Sequence, residues 1–240
     1  MRFERRTREI KAELVLEEQE LYRILGAGVS IDETSYHDEK LEALAAMEAW
    51  IETANPTSSP RWEQRRISPT EPRNKLFCSV YGSDTVNVLP QGAMIPKKKG
   101  DSNLGANELN VYLNSDWSER HGWVQIMGTE DQIRTRAQEL ANEGKIVVAS
   151  GGGRPEVSAV AHFTVIAPES VAGRFGRRQA RRRKGSVLEN VAAQAGLEES
   201  FGVVPLGRID IFEKEEDGEL HHSNPGIWFY NPAWDQRSGQ

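Results

Sequence analysis

Thr129-Glu-Asp-Gln-Ile-Arg-Thr-Arg-Ala-Gln-Glu-Leu-Ala-Asn-Glu-Gly-Lys-Ile-Val-Val-Ala-Ser150 changes its hydrophobic period part-way along, and that change decides the fold class. Thr129 followed three positions later by Gln132 is a capping-box signature, in which each side chain satisfies an amide N–H that a helix start leaves open. Ile133, Ala137, Leu140 and Ala141 then recur at helical spacing, and Gly144 supplies the stop. From 145 to 150 the residues are mainly apolar without helical gaps, which predicts a buried strand. Gly151-Gly152-Gly153-Arg154-Pro155 predicts a turn and 159–167 a second strand. Further strands are expected at 202–204, 207–212 and 226–230.

Towards the N-terminus the pattern is helical. Ile10, Leu14, Leu21 and Leu25 fall at spacings of four and seven among many charges, which predicts an amphipathic helix over 7–25, stopped by Gly26 and Gly28. A second helix is expected after Ser35, capped by its hydroxyl with Asp38 as partner, with Leu41, Leu44, Met47 and Ile51 on one face and Asn55-Pro56 at its end. Residues 56–73 hold four prolines and four arginines and no period, so they read as a linker or wrapping arm. Helices followed by antiparallel strands make an α+β chain, with a helical extension and linker over 1–70 and a second domain over 71–235.

Composition narrows the function classes. One cysteine among 240 residues excludes an internal disulfide framework, and no apolar run approaches the roughly 18 residues of a membrane span. Met1-Arg-Phe-Glu-Arg-Arg6 leads into mixed charge without the apolar core of a signal peptide. The net charge of −6 hides an uneven distribution: residues 174–184 carry seven of the 30 basic residues, leaving 23 against 36 acidic ones elsewhere, or −13.

Few residues carry chemistry. Cys78 is a buried filler, an intermolecular partner or a reactive thiol; at the start of a helix its thiolate would be stabilised by the helix dipole and open N–H groups. His162, within Ala159-Val-Ala-His-Phe-Thr-Val-Ile-Ala-Pro168, is the only histidine embedded in an apolar strand. It is either a core histidine bonded to backbone or a general base aimed from a rigid element. His37, His121, His221 and His222 sit in polar surroundings and read as surface residues. One cysteine and an adjacent histidine pair do not supply a zinc set, so no metal and no other cofactor is expected. Tyr112, Trp117 and Trp123 are either core residues or the floor of a groove, and Trp228, Phe229 and Tyr230 read as a terminal strand.

Cys78 with Asp84, Ala106-Asn107-Glu108, Trp117, Trp123, the helix ending Ala137-Gln-Glu-Leu-Ala-Asn-Glu-Gly144, the strand bearing His162, and Gln194-Ala195-Gly196 together resemble the NlpC-type and CHAP cell-wall hydrolases over about residues 70 to 232. The resemblance implies a papain-like core, in which a helix that opens on the cysteine packs against an antiparallel sheet with the histidine on a facing strand. It makes Cys78 the nucleophile, His162 the base and Gln194 the orienting third residue, with Asn190 second. Ala161 stands where the family has Gly, and Ser79 where it has Asn. Tyr81, Trp117 and Trp123 become candidates for substrate contact. The implied reaction is cleavage of a peptidoglycan amide, in the stem peptide or at its junction with the glycan. Such an enzyme would be made in the cytoplasm and reach the wall by lysis, injection or another non-classical route, and an injected toxin would need an immunity or inhibitor protein.

The segment Arg174-Phe-Gly-Arg-Arg-Gln-Ala-Arg-Arg-Arg-Lys184 has no apolar stripe and reads as a surface loop. Arg177, Arg178, Arg181, Arg182 and Arg183 are candidates for contact with a polyanion, among them nucleic acid, wall teichoic acid, anionic lipid or an acidic inhibitor, with Lys97-Lys98-Lys99 adding to the charge. Two rival readings follow: a non-enzymatic nucleic-acid binder, or a catalytically silent papain-like scaffold or virion component.

Overall fold

A computed structural model of the chain describes residues 2–25, 34–53, 78–97, 103–154, 156, 161–174, 180–194, 202–205, 211–212, 214 and 218–232. The helices are α1 (Arg2–Leu25), α2 (Thr34–Thr53), α3 (Cys78–Val88), α4 (Ala106–Leu113), α5 (Asp116–Arg120), α6 (Glu130–Asn142) and α7 (Glu169–Arg174). The strands are β1 (Trp123–Gln125), β2 (Val147–Gly152), β3 (His162–Ile166), β4 (Arg181–Arg183), β5 (Ser186–Glu189), β6 (Val191–Gln194), β7 (Gly202–Pro205) and β8 (Ser223–Tyr230). Six of them form one sheet in the order β1-β8-β2-β3-β6-β7 with every pairing antiparallel, and β4-β5 is a separate hairpin. The chain is therefore α+β.

The sheet is covered on both faces, because alternate residues of each strand point to opposite sides. Val148, Phe163, Val165 and Trp228 pack with Tyr81 and Val86 of α3. Ala149, Ile166, Ala192 and Ile227 pack with Ala137, Leu140 and Ala141 of α6. The α6 N-terminus is the expected capping box: Thr129 Oγ1 accepts from the Gln132 N–H at 3.4 Å, and Gln132 Oε1 accepts from the Thr129 N–H at 2.9 Å. Gly144 follows with a φ of 81°, the left-handed conformation that ends a helix cheaply only in glycine.

The N-terminal helices form a hairpin in which Ile10 is buried against Ala45 and Ala49, small residues that admit close approach. Arg6 makes a two-pronged contact with Glu52 at 2.6 and 3.0 Å. The hairpin meets the sheet domain through Trp50, whose indole N–H donates to Thr85 Oγ1 at 2.8 Å and whose ring lies 6.2 Å from that of Tyr81. Thr85 in turn donates to the Tyr81 carbonyl at 2.8 Å. Trp50→Phe removes the donor and leaves a buried hydroxyl lone pair unbonded, so it is expected to cost about 1–2 kcal/mol, read as a lower urea midpoint.

Several expected boundaries move. The first helix starts at Arg2, and Ser35 lies inside α2 rather than capping it. Gly151 and Gly152 belong to β2, not to a turn. Residues 211–212 are a turn, where a strand was expected. The expected linker over 56–73, and with it the boundary between domains, lies outside the described residues. No helix among the described residues is long and apolar enough to cross a membrane.

Candidate functional site

Cys78 is the first residue of α3, so its side chain stands where the helix leaves N–H groups without intrahelical partners. The helix reaches the sheet at Gly82, one turn further on. A Cβ on Gly82 would lie 2.5 Å from the Phe163 ring, which shows that only a bare Cα allows α3 to rest on this strand. This close approach brings Cys78 onto β3. Its sulfur lies against the backbone of Phe163, the residue that follows His162. Cys78 and His162 are remote in sequence and arrive at the same end of the same strand.

Burial and backbone contacts act on the thiol in opposite directions. Cys78 is 4% exposed, and loss of solvent pushes its pKa up; backbone groups of Phe163, Ser79 and Cys78 itself pull it down by a smaller amount. The net shift is upward, so the neutral thiol is the resting form. A stability consequence follows. The unfolded thiol ionises at about pH 8.5 and the folded one later, so stability is full below that pH and falls as pH rises towards the folded value. Cys78→Ser is expected to flatten the decline between about pH 8 and 9.5 in denaturation curves.

His162 opens β3 and is 6% exposed. Its carbonyl accepts from Ser150 Oγ at 3.3 Å, and Ser150 is in turn approached by Asn110 Nδ2 of α4 at 3.4 Å. Asn107 Oδ1, also on α4, accepts from the Gly153 N–H at 2.8 Å. The two amides of α4 thus fix the end of β2 against which His162 is registered. In that register His162 is level with Gly151. Phe163 faces α3, so alternation directs the His162 Cβ to the opposite face, the side of Gly151. His222 covers Gly151 there: a Cβ on this glycine would lie 2.8 Å from His222 Cβ and 2.9 Å from Cγ. His222 is accordingly buried, not a surface residue as its polar neighbours suggested.

Gln194 ends β6, which pairs with β3 at Val165↔Ala193 and Ile166↔Ala192. Continuing that register sets the Gln194 backbone level with Thr164, on the strand next to His162 and two residues along from it. Asn190, the second candidate for the orienting group, is committed elsewhere. It is fully buried and donates to the Arg134 carbonyl at 2.7 Å and to Gln138 Oε1 at 3.4 Å, tying the end of β5 to α6.

Of the three candidates for substrate contact, two are out of reach. Tyr81 is 0% exposed and lies under Trp50; Trp123 is 1% exposed and packs on Tyr230 with ring centroids 5.7 Å apart. Tyr112 is buried as well, its hydroxyl pushed up to about 12 by loss of solvent. Trp117 is 54% exposed and meets Tyr112 and His121 edge-on at 5.7 and 4.8 Å. It alone of the group can meet a ligand directly. Tertiary packing, which no local spacing encodes, separates these residues.

The basic segment also differs from expectation. Arg181, Arg182 and Arg183 form β4 and pair with β5, so this part is a hairpin rather than a loop. Arg177 and Arg178 lie outside the described residues, as do Lys98 and Lys99. No family model, curated protein or solved structure matches the chain.

Proposed function

We propose that the protein is a cysteine hydrolase with a papain-like core that cleaves an amide bond of peptidoglycan. Cys78 is the nucleophile, His162 the base and Gln194 the group that orients the imidazole. The observation that carries this reading is the convergence of Cys78, at the start of a helix packed on an antiparallel sheet, with the first residues of the strand that opens on His162.

In the proposed reaction His162 takes the Sγ proton as the thiolate attacks the carbonyl carbon, and backbone N–H groups at the start of α3 hold the oxyanion. Collapse breaks the C–N bond, the amine leaves with the proton from the imidazolium, and a thioester remains. Water, deprotonated by His162, cleaves the thioester and regenerates the thiol with release of a carboxylate. Strand alternation directs the His162 Cβ to the face away from α3, so the proposed proton transfer requires the imidazole to swing round the end of β3 to reach the sulfur. Purified protein should release new amino groups from isolated peptidoglycan, and prior alkylation of Cys78 should stop the release. No release from walls of several stem-peptide types would overturn the reading.

The burial of the thiol favours a second reading, a catalytically silent member of the same architecture. That protein would resist iodoacetamide in its folded state throughout the neutral range and would release nothing.

A further inference from the structure

The basic hairpin is unused by the proposed reaction, yet it is a built element. Arg183 pairs with Ser186, so Lys184 and Gly185 form a two-residue turn, with φ values of 49° and 88° as a type I′ turn requires. Its base is locked into the domain. Val187 is fully buried and its N–H donates to Thr135 Oγ1 of α6 at 2.9 Å. Glu169 accepts the Ala180 N–H at 3.0 Å on one oxygen and pairs with Arg182 through the other. Glu169 thus neutralises Arg182 at the base, and the charge at the tip is left to Arg183 and Lys184. Both are exposed, and neither makes a hydrogen bond or ion pair among the described residues.

A tip held this rigidly costs little entropy to dock, and guanidinium beside ammonium suits phosphate oxygens. The rest of the chain decides which phosphate polymer fits. Outside 174–184 it carries 23 basic against 36 acidic residues, so a stiff, densely charged duplex laid across the protein would meet repulsion on most of its length. Residues 181–189 contain no aromatic side chain on which a base could stack, as single-stranded nucleic acid sites use. A thin, flexible chain whose phosphodiesters alternate with neutral polyol units can touch the tip alone.

We infer that Arg183 and Lys184 form a docking site for a polyol-phosphate chain of the kind attached to cell walls. The hairpin packs on α6 through β5, and its Val187 joins the apolar cluster that also holds Tyr81 and Val86 of α3. The choice of polymer rests on the peptidoglycan reading; the phosphate site itself rests on the hairpin.

The test is calorimetric titration of poly(glycerol phosphate) into Cys78→Ala protein, which cannot cleave, beside the same protein carrying Arg183→Gln and Lys184→Asn; asparagine tolerates the left-handed turn position. Binding should weaken with added salt and fall at least about tenfold in the tip variant. No binding at low salt, equal binding by the tip variant, or tighter binding of single-stranded DNA with the same number of phosphates would overturn the inference. The tip changes in an otherwise native chain should leave amide release from phosphate-free peptidoglycan unchanged. An absence of any amide release would sink the hydrolase reading and leave the titration result standing.

Discussion

Cys78→Ala is expected to lower amide release by at least about 10³-fold, to the level that binding and oxyanion donors sustain without a nucleophile. The size of the effect follows from the lack of a substitute. Cys78 is the only cysteine in the chain, and the neighbouring Ser79 would have to be activated by a base placed for a different atom. The fold should survive, because alanine is the best helix former and the lost sulfur leaves a small void at the end of a helix, worth about 1 kcal/mol. Release of amino groups and the urea midpoint, measured on the same samples, separate loss of chemistry from loss of structure. An unfolding midpoint near that of the parent with activity gone is the expected pair of results.

Gly82→Ala should combine a stability defect with a catalytic one. In an isolated helix the change would gain about 0.5–1 kcal/mol. Here the new methyl would stand 2.5 and 2.6 Å from two carbons of the Phe163 ring, which is itself fully buried and backed by the sheet. Overpacking of this kind costs about 1–3 kcal/mol, so the net effect is a loss of stability despite the better propensity. Relief comes by lifting α3 off β3, and that displaces the Cys78 sulfur from the Phe163 backbone. A misplacement on the order of 1 Å is expected to lower cleavage by about 10²-fold. Gly82→Ala without loss of either midpoint or activity would mean that α3 does not set the position of the nucleophile.

The parts of the fold visible in the sequence are those fixed by short-range chemistry. Thr129, Gln132 and Gly144 announce α6, because caps and left-handed stops are local requirements. The apolar runs around Val147 and Val165 announce β2 and β3, because strands buried on both faces need them. The helix that opens on Cys78 was partly visible for the same reason. What the sequence hid was decided by distant partners. Arg181, Arg182 and Arg183 have no apolar alternation of their own and read as loop; Val187 and Glu169 hold them in a hairpin, and the Lys184-Gly185 turn was the available signal. Tyr81 and Trp123 offered aromatic surface on paper, and the packing of Trp50 and Tyr230 over them removes it. His222 looked like a surface residue because its neighbours are polar, whereas Gly151 supplies the space that buries it. The roles of Asn107 and Asn110 in holding the strand end beside His162 arise only when α4 crosses β2.

The most direct test of the central claim is to quench the reaction with peptidoglycan fragments in acid and weigh the protein. A thioester formed at Cys78 predicts a mass increase equal to the acyl part of the fragment, located on the peptide containing Cys78 and absent from Cys78→Ala. Turnover of the fragments with no adduct at any quench time, or with an undiminished rate in Cys78→Ala, would contradict it.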